Sequence, residues 1–176
     1  MAVVGCGGVP SDDVARTTNV PYKRNCAVPP RASGKPPAHW RARSTAIGPL
    51  FLYRVSEYRR SPPSDFDPLP GTSGRRYSGE KQLVLLRGGP VRLSVAANQR
   101  KLVSLNYDNV AFDHGFALSD GTSSVTFSEC GVPVTQWPGA FIVAGARCVT
   151  LTVQDLAGKV LGRRQVPFGR LTCNPG

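Results

Sequence analysis

Few residues of this 176-residue chain are arranged as catalytic groups usually are. Asp113 and His114 come closest, in Asp108-Asn-Val-Ala-Phe-Asp-His114. A carboxylate that orients an imidazole is half of a hydrolytic triad. Neighbours in sequence rarely reach that geometry, and no Gly-x-Ser-x-Gly elbow supplies a nucleophile. A hydrolase site near Asp113/His114 is therefore the alternative reading. The leading expectation is that the chain is not an enzyme and carries no catalytic residues. Asp108, Asn109, Asp113 and Asp120 offer oxygen atoms, but not at the alternate positions of a calcium loop. Asp and Asn that bond their own backbone in turns explain them better. Glu57 and Glu129 form no evident acid–base pair. No Cys-x-x-Cys occurs, and neither His39 nor His114 stands at ligand spacing from a cysteine, so neither metal nor cofactor is expected.

Two segments suggest binding. His39-Trp40-Arg41-Ala-Arg43 is basic and aromatic, suited to an anionic surface. Trp40, Arg41 and Arg43 are its candidate contacts, against the alternative of a Trp ring packed on the domain edge beside solvated arginines. Trp137-Pro138-Gly139 reads as a loop tip. Its ring either forms a platform for sugar or covers the open end of a sandwich.

Cysteine usage is more informative. Cys130, Cys148 and Cys173 punctuate alternating tracts such as Val125-Thr-Phe-Ser-Glu-Cys130 and Cys148-Val-Thr-Leu-Thr-Val153, and Cys26 lies far upstream. Cysteines at strand ends without zinc spacing predict disulfides and an oxidising compartment. Four cysteines allow three pairings. A hairpin turning at Ala157-Gly158 brings Cys148 and Cys173 to one end of a sheet, which favours Cys148–Cys173 with Cys26–Cys130. Cys130–Cys148 stays open if residues 139–144 are not a full antiparallel strand.

The elements that must hold these residues are strands. Tracts at 46–55, 81–86, 91–95, 102–107, 116–118, 123–130, 139–144, 148–154 and 159–168 are apolar or alternate in period two, with turn signals between them. The reading is an all-β fold, an antiparallel β-sandwich of about eight short strands over residues 44–176. Residues 1–43, rich in Pro, Arg, Ser and Gly, read as an irregular tether.

Charge is uneven along the chain. The total is +11, with ten basic against three acidic residues in 1–64 and twelve against eight in 65–176. The expected partner is an anionic cell-envelope polymer or a lipid surface; no specific nucleic-acid binding is expected, because no basic run forms an arm. The start, Met1-Ala-Val-Val-Gly-Cys6, resembles the end of a lipoprotein signal cut short, with Cys6 as the residue that takes the lipid.

The tract from Val125 to Cys173, with Gly48-Pro49-Leu50 and Lys81–Leu86 before it, resembles a group of uncharacterised secreted or lipid-anchored proteins of actinobacteria. The resemblance covers about residues 26–173 and implies export and a β-rich fold, with no activity attached. A paired glycine of that group is Gly139-Ala140 here. The resulting expectation is an extracellular or lipid-anchored, non-catalytic binding or structural protein of the cell envelope.

Overall fold

The computed structural model describes residues 22–26, 35–72, 74–107 and 115–173. Ten strands are formed among them: β1 (Tyr22–Arg24), β2 (Ser44–Ile47), β3 (Leu50–Tyr53), β4 (Gly79–Leu86), β5 (Val91–Val95), β6 (Val103–Asn106), β7 (Ser124–Phe127), β8 (Thr135–Val143), β9 (Arg147–Gln154) and β10 (Val160–Phe168). They build two five-stranded sheets, ordered β1-β7-β5-β9-β10 (sheet A) and β2-β3-β4-β8-β6 (sheet B). Every pairing is antiparallel except β1 with β7. The chain crosses from one sheet to the other five times between β4 and β9. This is an all-β sandwich, as the alternating tracts require.

Period-two patterning explains the core. In sheet A, Val91, Leu93 and Val95 of β5 point inward with Val125 and Phe127 of β7 and Val149, Leu151 and Val153 of β9. Sheet B answers with Leu50, Leu52, Val84, Leu86, Leu105, Trp137, Phe141 and Val143. All are at most 2 % exposed. Full burial of an aliphatic or aromatic side chain contributes about 1.5–3 kcal/mol, so this interior is the main favourable term for the fold.

The outer faces of the two sheets differ. Sheet B is covered. Ile142, which alternates with Phe141 and Val143, lies under Tyr77, Phe116 and Leu118, in a second small cluster closed by Ala144. A two-residue bridge between Tyr77 and Phe116 holds that cover in place. Trp40 packs edge-on against Phe51 of β3, their ring centroids 4.9 Å apart. The outer face of sheet A is polar: Lys23 and Arg163 are exposed, Arg92, Ser94, Ser124, Thr152 and Gln154 half-buried, and Thr126 and Thr150 buried among them.

Three elements depart from the sequence reading. The apolar run 46–55 is a hairpin and not one strand: Ile47 pairs with Leu50 across Gly48-Pro49. Gly48 has φ 59°, a left-handed conformation that glycine adopts without cost. Tyr22–Arg24, inside the tract read as a tether, forms an edge strand of sheet A. The strand placed at 139–144 begins earlier, at Thr135, and takes in Trp137-Pro138-Gly139.

Candidate functional site

The cysteines sit where strand directions bring them together. β1 and β7 run parallel with Arg24 opposite Phe127, so Cys26 and Cys130 both emerge just past the same end of that pair. They are bonded, with Cα atoms 5.4 Å apart. In the β9–β10 hairpin, Pro167 lies opposite Cys148, and the chain leaving Phe168 returns Cys173 to it. That second disulfide has a Cα–Cα distance of 5.7 Å. Cys148–Cys173 and Cys26–Cys130 are the pairing that the hairpin favours. Cys6 lies outside the described residues, as do Asp108 and Asn109 and the Asp113/His114 pair on which the hydrolase alternative rests.

Trp137 is a correction. It is not a surface platform but fully buried, inside β8, facing Phe127 at 6.4 Å between ring centroids. Pro138-Gly139 reads as a loop because both residues interrupt regular structure. Here β6 reaches along β8 only as far as the Asn106–Ala140 pair, so Trp137–Gly139 is flanked by β4 alone. That half of β8 is an edge, where proline is tolerated. Gly139 is required there. A Cβ at this position would stand 2.2 Å from the Tyr107 ring. Ala140, in place of the second glycine of the resembling group, is fully buried in ordinary strand geometry.

Around Trp137 lies a group of buried donors. Arg24 is 6 % exposed, with its guanidinium carbon 5.8 Å from the Trp137 ring centroid. Its Nε, the Tyr107 hydroxyl and the Trp137 indole nitrogen are all buried without a hydrogen-bond partner. Burial pushes the Tyr107 phenol well above its usual range. The cation–π contact offsets part of the cost of burying the arginine. A charge pointing inward from an edge strand also discourages edge-to-edge association. Arg24 Nε and the indole nitrogen can only donate, and the Tyr107 hydroxyl, held neutral by burial, can donate or accept, so the cluster reads as packing.

The basic, aromatic segment partly neutralises itself. Arg41 lies over the Trp40 ring at 5.3 Å, and Arg43 over Tyr53 at 5.5 Å. Glu57 accepts from both Arg54 (2.5 Å) and Arg43 (3.4 Å). A hydrogen bond from Arg54 holds the Glu57 carboxyl below the usual range. Trp40 is half-buried, and His39, at φ 55°, is exposed on the turn that presents it.

Several of the described acids have structural partners or neighbours. Asp120 accepts from the Ala117 amide at 2.9 Å and pairs with Arg76 at 3.4 Å, both at the same carboxylate oxygen, so it braces the turn that carries it. Asp155 accepts from the Lys159 amide and shapes the β9–β10 turn. Glu80 is the carboxyl displaced upward, first by burial and then by the charge of Asp65. Among the described residues, no three His, Cys, Asp or Glu side chains gather as a metal site. Comparison with protein-family models, with curated proteins and with solved structures finds no match to this chain.

Proposed function

We propose that this chain is a binding or structural module of the cell envelope, exported and held on the outer face of the membrane by a lipid at Cys6, and that it is not an enzyme. The two disulfides carry the reading. Such bonds persist in oxidising surroundings and are rare where thiols are kept reduced. The resemblance to secreted or lipid-anchored actinobacterial proteins and the Gly5-Cys6 junction support the anchor. The structural engagement of Glu57, Asp120 and Asp155 supports a role in binding over catalysis.

The test has two parts. Protein recovered from its native compartment should show no free thiol at Cys26, Cys130, Cys148 or Cys173 under denaturing, non-reducing conditions. Four free thiols would sink the compartment. Metabolic labelling with an alkyne fatty acid should mark the protein and be lost in Cys6→Ala. Labelling that persists in Cys6→Ala, or none in the native protein, would refute the anchor.

A further inference from the structure

The topology sorts the charge in a way the linear chain conceals. The five strands of sheet A hold six basic residues and no acid. Sheet B has only Glu80 and Lys81 in its strands, which cancel. Opposed residues in neighbouring strands share a face, so register places the cations. Lys23 stands opposite Thr126, Thr126 opposite Arg92, and Arg92 opposite Gln154, in one row across four strands. In the next row Ser94 stands opposite Thr152, and Thr152 opposite Arg163. Lys23 and Arg92 are two strands apart, roughly 10 Å, and Arg163 lies diagonally from Arg92 at a similar spacing. The ion pairs among the described residues are Arg43–Glu57, Arg54–Glu57 and Arg76–Asp120, so none engages these three cations. Arg92 is half-buried, and its Nε, buried, is without a hydrogen-bond partner, which leaves the terminal guanidinium nitrogens as the atoms to meet a ligand.

We propose that the outer face of sheet A binds an anionic polysaccharide. Lys23, Arg92 and Arg163 meet its acidic groups, and Ser94, Thr152 and Gln154 meet its hydroxyls. Guanidinium groups match carboxylate or sulfate oxygens in two-pronged geometry. The hydroxyl and amide side chains between them donate and accept, as a hydroxylated polymer requires. None of these residues has a ring on which a nucleic-acid base would stack. The opposite face of the sandwich is already occupied by Trp40 and by the Tyr77–Phe116–Leu118 cover, so sheet A is the face left for a partner. The proposal deepens the envelope-module reading and rests on it for where such a polymer is met. Binding itself is independent of location, so the two fail separately: the thiol count decides the compartment, and titration decides the face.

The experiment titrates the full oxidised chain with polygalacturonate, and with neutral dextran, phosphatidylglycerol vesicles and a single-stranded oligonucleotide as comparisons. Polygalacturonate should bind in preference to all three. Lys23→Gln/Arg92→Gln/Arg163→Gln should weaken it about tenfold, the sum expected of three surface charge contacts of modest size. The same loss of charge at exposed Arg59, Arg60 and Arg87 should leave affinity nearly unchanged. Ser94→Lys, which adds a cation in the middle of the face, should tighten binding and keeps the test decisive if the triple variant folds poorly. Equal losses from the two triple variants would reduce the effect to net charge and overturn the proposal. So would a preference for vesicles or oligonucleotide, or no gain from Ser94→Lys.

Discussion

Gly139 shows how a residue can be misread when its neighbours are punctuators. Trp137-Pro138-Gly139 has the composition of a loop, yet each residue has a place in β8: the ring fills the core, the proline sits on a half-strand flanked by β4 alone, and the glycine makes room for Tyr107. Gly139→Ala should therefore destabilise the fold by about 1–3 kcal/mol, the usual cost of overpacking, seen as a lower denaturant midpoint with an unchanged slope. A neutral result would mean that the Tyr107 ring gives way freely. Glu80 supplies a second prediction. Burial and Asp65 raise its folded pKa above the unfolded value. Between those two values the folded protein binds more protons than the unfolded, so stability falls as pH rises through the folded pKa. Glu80→Gln should be more stable than the parent at neutral pH. The difference should vanish below the ordinary glutamate range, near about pH 4.3. A Glu80→Gln variant that is less stable at neutral pH would show that the carboxylate is favourably engaged.

Disulfides decide stability at the level of elements, because β1 is only three residues long and an edge. The Cys26–Cys130 link spans 104 positions and Cys148–Cys173 spans 25. Loop entropy assigns them about 4.7 and about 3.5 kcal/mol. The first figure is an upper bound for a local reason. When Cys26–Cys130 is lost, β1 can detach while the β5–β9–β10 core of the sheet stays paired. We expect Cys148→Ser/Cys173→Ser to lower global stability by about 3 kcal/mol. We expect Cys26→Ser/Cys130→Ser instead to raise amide exchange in β7, next to β1, well before β9. Uniform loss of protection in both sheets would contradict a separable β1. The same elements show what the sequence made legible. β5 and the apolar part of β9 alternate because one face is buried and the other is polar, and β10 is marked off by the Ala157-Gly158 turn before it, so their limits were readable from the sequence. The β2–β3 hairpin was hidden because Gly48-Pro49 lies inside an apolar run. β1 was hidden because three residues cannot display a period, and its place comes from pairing with β7 across about a hundred positions. The cysteines at the ends of these strands were the one long-range signal in the sequence. The candidate site was less legible: the aromatic–basic cluster at 40–43 was visible, but the cations of sheet A are scattered from Lys23 to Arg163 and only register collects them.

For the whole molecule, the formal +11 therefore has two separate components. One is the segment from Trp40 to Arg60, where Arg43 and Arg54 share Glu57 on the sheet B side. The other is sheet A, whose strands hold no acid. Fields from exposed charges fade over roughly 8 Å at physiological salt, so the two components act as independent patches. Glu57→Gln separates them. Removing the shared carboxylate releases Arg43 and Arg54, and the variant should need more salt to leave a sulfonate cation exchanger. Its affinity for polygalacturonate should stay where it was, because the outer face of sheet A is turned away from β3. Retention on both matrices should fall steeply with salt, as exposed pairs do. If Glu57→Gln strengthens polygalacturonate binding as much as it strengthens retention on the exchanger, the protein is responding to net charge alone, and sheet A has no special part in recognition.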